Sequence, residues 1–188
     1  MTRILGISGS LRTGSYNSAL LKAAAQVIEG AELEIASIRG IPLYDGDVEA
    51  AGFPQTVQDL KAKVIACDGL LLVTPEYNNG IPGVLKNAID WLSRPSTDIK
   101  KIFGDRPVAM MGASLGGFGT ILSQNAWLPV LRTLGTRPWF GGRLLVSRAN
   151  TVFNEAGELT DEKIRKQLAD FMRGFVAFVK NARSGTAN

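Results

Sequence analysis

The chain has 188 residues, of which 45% are hydrophobic and 20% are charged, and its formal net charge is +4. A chain of this length and composition can bury a sizeable core, which excludes an intrinsically disordered protein. It contains no histidine and one cysteine, Cys67, which excludes a histidine-based catalytic triad and an internal disulfide framework and removes the commonest zinc ligand.

Charge and hydropathy patterns bear on location and partners. No apolar run approaches the ~20 residues that a membrane-spanning helix needs, and the N-terminus lacks the basic-then-apolar pattern of a signal peptide. Lysine and arginine are scattered along the chain rather than clustered. We therefore expect a cytoplasmic protein without a membrane span, which binds small anions rather than nucleic acid.

Apolar runs that predict strands alternate along the chain with patterns that predict helices. In chain order, the strands are predicted at residues 3–8, 33–38, 69–74, 107–112 and 142–146. The helices that follow them are predicted at residues 17–29, 54–67, 82–93, 120–134 and 160–180. Five strands that alternate with five helices predict an α/β fold with a doubly wound parallel sheet, and the five-stranded flavodoxin-like order is 2-1-3-4-5.

Local signals bear on the last two helices and the tail. Pro129 lacks a backbone N–H and should kink or end the fourth helix. Thr160 can cap the fifth helix, which carries acidic residues in its first turn. The tail, residues 181–188, is expected to be frayed.

The loop after the first strand, GSLRTGSYN at residues 9–17, leads directly into a helix. The first turn of a helix carries unpaired N–H groups and the positive end of the helix dipole, so it binds phosphate. Gly9 and Gly14 let the backbone approach an anion, and Arg12 offers a charged fork that suits phosphate oxygens. Further donors are the hydroxyls of Ser10, Thr13 and Ser15.

Two other phosphate motifs fit this loop less well. Gly9 and Gly14 have the spacing of a P-loop, but Ser15 and Tyr16 stand where that motif needs Lys and then Ser or Thr. The loop also lacks the G-x-G-x-x-G fingerprint of dinucleotide sites. A single terminal phosphate is therefore favoured, and the alternative is an ordinary turn before a serine-capped helix.

Two further loops are expected at the same edge of the sheet, where ligands of such folds bind. The loop TPEYNNGIPG, residues 74–83, is stiffened by prolines and carries Tyr77 and Asn78, which suit the polar edge of a planar ring. The loop GASLGGFGT, residues 112–120, is rich in glycine, and Ser114 adds a hydroxyl. A phosphate site beside two loops that flank a flat ring indicates a cradle for FMN.

Three segments resemble a known family. The loop GSLRTGSYN matches the G-S-x-R-x-x-S-x-N phosphate loop of the NADPH-dependent FMN reductase family. PLYDGDVE, residues 42–49, and TPEYNNGIPGVLKNAIDWLSR, residues 74–94, are similar to its chromate and quinone reductase branch. The resemblance runs from about residue 3 to residue 180. It implies a single flavodoxin-like FMN-binding domain over residues 1–188, which assembles as a homodimer or homotetramer.

The same resemblance implies the reaction and the site. Hydride from NADH or NADPH would pass through FMN to quinones and other acceptors, such as chromate or ferric complexes, in a ping-pong cycle. Ser10, Arg12, Ser15 and Asn17 would hold the phosphate, and Ser114 would lie near the edge of the ring. No catalytic side chain and no metal ligand is assigned. The expected cofactor-binding residues are Ser10, Leu11, Arg12, Thr13, Gly14, Ser15, Tyr16, Asn17, Pro75, Glu76, Tyr77, Asn78 and Ser114.

The apolar content of two helical segments also predicts a homo-oligomer. The helix at 82–93 carries more apolar side chains than one sheet face should cover, and the aromatic residues between Trp127 and Phe140 add to them. The apolar side chains of the helix are Leu85, Ile89, Trp91 and Leu92.

Alternatives to the reductase remain open. A flavodoxin-type electron carrier or a flavin-binding sensor would bind FMN without its own NAD(P)H turnover, although carriers of that type tend to be acidic and this chain is basic. A phosphate-binding hydrolase lacks the lysine, histidine or carboxylate cluster that its chemistry needs. The loop at 74–83 also fits an ordinary turn in which Glu76 and Tyr77 pack or pair elsewhere.

Overall fold

A parallel sheet organises the chain, whose computed structural model describes residues 1–185. The strands are β1 (Arg3–Ser8), β2 (Glu32–Ala36), β3 (Gly69–Val73), β4 (Pro107–Ala113), β5 (Arg137–Pro138) and β6 (Leu144–Val146). They pair in the order β2-β1-β3-β4-β5, and β6 also pairs with β4. Every pairing between these strands is parallel, so the predicted flavodoxin-like fold and its strand order are confirmed.

The fifth position of the sheet is divided between two short strands. β5 pairs with Pro107 and Val108 of β4, whereas β6 pairs with residues 111–113 of β4. Between them the chain leaves the sheet, and the indole of Trp139 lies against Gly141 and Gly142, where an added β-carbon would come within 2.5 and 2.6 Å of the ring. The sequence predicted one strand at 142–146 and missed β5, because proline and glycine interrupt the apolar run there.

Helices cover both faces of the sheet. They are α1 (Tyr16–Val27), α2 (Gly46–Ala51), α3 (Gln55–Ala66), α4 (Gly83–Leu92), α5 (Ile99–Ile102), α6 (Ile121–Thr133) and α7 (Glu162–Gly185), with 3-10 turns at Ser96–Asp98 and Ala149–Thr151. α1 and α7 pack on one face, where their apolar residues share a core with β3, β4 and β6. α3, α4 and α6 pack on the other face. The short helices α2 and α5 were not predicted, because neither is long enough to show a periodic apolar stripe.

The last two helices differ from the sequence prediction at their ends. α6 does not end at Pro129 but continues to Thr133. The N–H of Ile164 in α7 donates to Asp161 Oδ1 at 2.9 Å, so Asp161 caps this helix, while the Thr160 hydroxyl donates to the carbonyl of Val152. Helix α7 includes residues 181–185, where the predicted frayed tail begins, and residues 186–188 lie outside the described chain.

The apolar side of α4 is covered within the chain. All four of its apolar side chains named above are buried against the sheet, because the helix turns one face inward. Trp127 is also fully buried and Trp139 is partly buried, whereas Phe140 is 73% exposed. The argument for an oligomer from these residues is therefore wrong.

No helix within residues 1–185 is long and apolar enough to span a membrane.

Candidate functional site

The three loops that follow β1, β3 and β4 meet at one edge of the sheet and enclose a cavity of about 490 Å³. Parallel strands present their carboxyl ends together, which explains why loops so distant in sequence converge. All of the expected cofactor-binding residues line this cavity except Leu11, Thr13 and Gly14. The lining residues are Ser10, Arg12, Ser15, Tyr16, Asn17, Pro75, Glu76, Tyr77, Asn78, Asn79, Ala113, Ser114, Leu115, Gly116, Gly117, Phe118 and Gly119.

The three exceptions lie elsewhere in the first loop. Leu11 packs against the core below it, and its carbonyl accepts a hydrogen bond from the guanidinium of Arg39. Thr13 and Gly14 are exposed at the tip of the loop. The side chains of Leu11 and Thr13 therefore do not line this cavity, and Gly14 has no side chain.

The first turn of α1 lies at one end of the cavity. Ser15 caps the helix, and its Oγ accepts from the N–H of Ser18 at 3.3 Å. The N–H groups of Tyr16 and Asn17 have no intrahelical acceptor, because they lie in the first turn. The exposed guanidinium of Arg12 lies 5.8 Å from the centre of the Tyr16 ring. Backbone donors, a hydroxyl and a cation at one helix N-terminus fit a phosphate monoester.

Asn17 has a different role from the one expected. Its side chain is buried, and its Nδ2 donates to the carbonyl of Ala113 at 2.9 Å, while its Oδ1 accepts from the N–H of Ala113 at 2.9 Å. The side-chain amide therefore ties the first loop to the end of β4. Any contact of Asn17 with a phosphate would come from its backbone N–H.

The loop after β3 forms a tight turn at the opposite side of the cavity. Tyr77 and Gly80 exchange two backbone hydrogen bonds of 3.2 and 3.0 Å. The turn places Asn78 and Asn79 at φ values of 49° and 60°, which asparagine tolerates better than most residues. Tyr77 lines the cavity and is 48% exposed, so an aromatic ring and two amides stand at this side. Asn79 also lines the cavity, although it was not among the expected cofactor-binding residues.

Glu76 also differs from expectation. Its Oε2 accepts from the N–H groups of Leu122 and Ser123 at 2.9 and 3.1 Å. These are the first-turn donors of α6, so the carboxylate caps that helix. Glu76 therefore pairs with α6, while both Glu76 and Tyr77 line the cavity.

Glu76→Ala should lower the free energy of unfolding by about 1 kcal/mol, because it leaves the first turn of α6 uncapped. Glu76→Gln keeps an oxygen acceptor, so its free energy of unfolding should fall by less. Urea unfolding of both variants and the wild type measures the difference. Equal stability of Glu76→Ala and the wild type would show that the cap contributes nothing.

A buried polar cluster holds the loop after β3 against α6. The indole N–H of Trp127 donates to Thr74 Oγ1 at 3.1 Å, and Thr74 Oγ1 lies 2.8 Å from Ser123 Oγ. The Thr74 hydroxyl also lies 2.9 Å from the carbonyl oxygen of Pro75. These groups are fully shielded from water, so the cluster fixes the start of the loop that lines the cavity.

Glycines allow the three loops to approach one another. A β-carbon on Gly112 would overlap the backbone carbonyl oxygen of Thr74 and the side chain of Thr120. A β-carbon on Gly9 would lie 2.9 Å from both Pro75 Cδ and Leu85 Cδ2. The loop after β4 is closed by the Ser114 hydroxyl, which donates to the carbonyl of Gly119 at 2.6 Å.

The segment at 42–49, which contributes to the family resemblance, packs on α4 and does not line the cavity. Asn87 of α4 accepts from the N–H of Tyr44 and donates to the carbonyl of Pro42, both at 2.8 Å. The Tyr44 hydroxyl and Arg94 Nε both donate to Glu49 Oε2, at 2.8 and 2.9 Å. The hydrogen bond from Arg94, followed by that from Tyr44, holds the pKa of Glu49 below its usual value.

This lowered pKa predicts a pH-dependent contribution to stability. Ionised Glu49 stabilises the fold above the pKa that it has in the unfolded chain, and the contribution is lost as the pH falls through the lower folded-state pKa. Glu49→Gln should therefore be less stable than the wild type at neutral pH, and the difference should shrink below about pH 4. Urea unfolding at a series of pH values tests this, and a difference that does not change with pH would contradict it.

Comparison with known proteins agrees with this geometry. The model of the NADPH-dependent FMN reductase family matches residues 2–151. The chain is 42% identical over 182 residues to the NAD(P)H-dependent FMN reductase PA1204 of Pseudomonas aeruginosa, covering 96% of this chain and 97% of that protein. It is 34% identical over 190 residues to a quinone reductase of Escherichia coli, covering 96% of this chain and 97% of that protein.

A solved structure extends the similarity to three dimensions. FerB, a flavoenzyme NAD(P)H:(acceptor) oxidoreductase from Paracoccus denitrificans, superposes with a TM-score of 0.87 at 32% identity, covering 97% of this chain and 99% of that chain. The resemblance inferred from the sequence is confirmed, and with it FMN as cofactor and NAD(P)H as co-substrate. By its family-model match, its relatives and its fold, the chain belongs to the NADPH-dependent FMN reductase family.

Proposed function

We propose that the protein reduces quinones with electrons from NAD(P)H, and that FMN binds in the cavity formed by the three loops. The observation that carries the proposal is the convergence of a phosphate-binding helix N-terminus with two loops that can flank a flat ring. The name of the Escherichia coli relative, a quinone reductase, supports quinones as acceptors.

Each part of the cavity has a role in this proposal. Ser10, Arg12, Ser15 and the first N–H groups of α1 hold the phosphate. Tyr77 and Asn78 lie on one side of the ring, and the loop at 114–119 lies on the other. When bound, FMN supplies the hydride-transfer chemistry between NAD(P)H and the acceptor. The protein itself orients the two reactants and needs no acid–base pair for hydride transfer, which agrees with a chain that has no histidine.

The acceptor range is expected to be broad. The loops that line the cavity offer few side chains that would leave a wrong acceptor with unpaired polar groups, and high specificity needs such groups. The net charge of +4 attracts anionic molecules. We therefore include chromate and ferric complexes among the acceptors, together with a ping-pong cycle in which NAD(P)H and the acceptor use one pocket in turn.

Steady-state kinetics test this proposal. NADPH or NADH is varied against benzoquinone, ferricyanide and chromate, at low and high ionic strength. Parallel double-reciprocal lines and turnover of at least two unrelated acceptors are expected. The reaction with anionic acceptors should become slower at high ionic strength, because salt screens their attraction to the protein. Intersecting lines would contradict the shared pocket. FMN binding without any oxidation of NAD(P)H would instead favour an electron carrier or sensor.

The rim of the cavity supports a homodimer or homotetramer. Phe118 is 83% exposed and Leu115 is 64% exposed, and both line the cavity. Tyr77 and Leu122 are also exposed nearby. Apolar side chains grouped at a functional cavity are typical of an interface. Light scattering at micromolar concentration should give a mass of at least twice 20.1 kDa, and Phe118→Ser should lower it. A single species of 20.1 kDa would refute the oligomer.

Domain organisation and location complete the proposal. One sheet and its two core clusters extend over the described residues, which supports a single FMN-binding domain over residues 1–188. We place the protein in the cytoplasm, where NAD(P)H is available as the reductant. Fractionation of cells that produce the protein tests this location.

A further inference from the structure

A second cavity, of about 270 Å³, lies at the edge of the sheet, where β4 meets the two short strands β5 and β6. β5 pairs with β4 as far as Val108, and β6 pairs with β4 from Met111 onwards, so Met110 is paired with neither. Within residues 1–185, no residue lines both this cavity and the larger one described above. A ligand in the second cavity need not displace FMN. The apolar side chains that line it are Val108, Met110, Leu128, Pro138, Trp139 and Phe140.

Trp139 gives this cavity a wall whose position is fixed by its neighbours. Its backbone N–H donates to the carbonyl of Val108 at 2.8 Å. Its indole occupies the space left by two glycines, because an added β-carbon would lie 2.6 Å from the ring on Gly142 and 2.7 Å from it on Gly174 of α7. The ring of Phe171 packs edge-to-face on the indole, with the ring centres 5.0 Å apart. An indole held in this way offers a flat surface against which an aromatic ring can pack.

A buried amide presents a hydrogen-bond acceptor to the cavity. Gln124 of α6 lines the cavity and is only 6% exposed. Its Nε2 donates to Thr120 Oγ1 at 3.1 Å and to the carbonyl of Leu144 at 3.2 Å, which uses both of its hydrogens. Its Oε1 accepts no hydrogen bond within residues 1–185, where every side-chain oxygen or nitrogen that is shielded from water has a partner. The Oε1 atom is therefore open to the cavity, where it suits a ligand that donates a hydrogen bond.

Arg143 supplies positive charge to the same cavity. It lines the cavity and is exposed, and its Nη2 lies 3.5 Å from Asn125 Oδ1, which is longer than a usual hydrogen bond. In the described part of the chain it forms no ion pair, and no acidic residue lines the cavity. The guanidinium is therefore available to a carboxylate, which it can bind through two parallel hydrogen bonds.

We propose that this second cavity is a binding site for a small aromatic acid that carries a hydroxyl group, a molecule of the hydroxybenzoate class. The carboxylate pairs with Arg143, the ring packs on Trp139, and the hydroxyl donates to Gln124 Oε1. Apolar walls with a few polar groups that fix the orientation of the ligand are the usual pattern of a small-molecule site. The site is separate from the reductase function proposed above, because its residues contact neither the FMN cavity nor the acceptor in it.

Calorimetry on the FMN-loaded protein measures the affinity of the site. The ligands are 4-hydroxybenzoate, benzoate, which lacks the hydroxyl, and phenol, which lacks the carboxylate. The protein should bind 4-hydroxybenzoate at least threefold more tightly than benzoate and at least tenfold more tightly than phenol, because a charge-assisted hydrogen bond is the stronger of the two contacts. Arg143→Ala should weaken binding of 4-hydroxybenzoate about tenfold and leave that of phenol unchanged. Arg132→Ala, which removes an exposed charge from α6 that does not line this cavity, is the matched control and should bind as the wild type does.

The indole N–H signals in an NMR spectrum of the same protein locate the ligand. The chain has three tryptophans: Trp139 lines the second cavity, whereas Trp91 and Trp127 are fully buried and line neither cavity. 4-Hydroxybenzoate should shift the Trp139 signal most, which is assigned by its loss in Trp139→Phe, and should leave the flavin absorption unchanged.

Three results would overturn the proposal. The first is equal affinity of the wild type and Arg143→Ala for 4-hydroxybenzoate. The second is binding of phenol as tight as that of 4-hydroxybenzoate. The third is a ligand that changes the flavin absorption, or that binds only the flavin-free protein, because it would then occupy the larger cavity instead.

Discussion

Gly112→Ala is expected to lower the free energy of unfolding by about 3 kcal/mol or more and to weaken FMN binding with it. The added methyl would overlap the backbone carbonyl oxygen of Thr74 and the side chain of Thr120. Backbone cannot move aside as a flexible side chain can, because Thr74 is fixed by its bonds to Trp127 and Ser123. Relief of the overlap must separate β3 from β4 at the edge that carries the cavity.

Gly117→Ala is the matched control in the same loop. A β-carbon on Gly117 has no neighbour within 4 Å, and the residue does not have a positive φ. We expect its free energy of unfolding to lie within about 0.5 kcal/mol of the wild type. Urea unfolding of both variants measures the change in the free energy of unfolding, and titration of each with FMN measures the change in FMN affinity. If Gly112→Ala were as stable as Gly117→Ala, close packing of the loops would not be required.

Arg12→Ala should weaken FMN binding by about 1.5–3 kcal/mol, which corresponds to roughly tenfold to a hundredfold in Kd. The guanidinium is exposed and contacts the Tyr16 ring, so its removal should leave the fold intact. The loss arises because, within residues 1–185, no other arginine or lysine lines the larger cavity. Titration of the flavin-free protein with FMN, followed by the quenching of flavin fluorescence, measures the Kd.

Two variants separate the specific contact from net charge. Arg12→Lys keeps the charge but not the planar fork, so its Kd should lie between those of the wild type and Arg12→Ala. Arg132→Ala removes one exposed positive charge at the distant end of α6 and should bind FMN as the wild type does. If Arg12→Ala and Arg132→Ala bound FMN equally well, Arg12 would be only a surface charge.

The sheet could be predicted because its central strands carry their own signal. β1 and β3 are continuous apolar runs between polar or glycine-containing turns, and their predicted bounds agree with the structure within one residue. Parallel pairing then brings the three loops together without further information. For this reason the cavity, and most of its lining, followed from the sequence.

The partners of individual side chains could not be predicted in the same way. Glu76 pairs with donors 46 and 47 residues later, and Asn17 pairs with the backbone of a residue 96 positions later. Both look like ligand-binding residues in the sequence, because a polar side chain in a loop has no local signal for a distant backbone partner. In the same way, the number of apolar side chains in α4 does not show how many of them the sheet buries.

The most direct test of the account is the visible spectrum of the purified protein before and after anaerobic addition of NADPH, followed by benzoquinone. We expect a bound flavin that is released on denaturation as FMN, whose absorption is bleached by NADPH and restored by the quinone. Release of FAD, the absence of bound flavin after reconstitution with FMN, or a spectrum that NADPH and NADH leave unchanged would contradict the account.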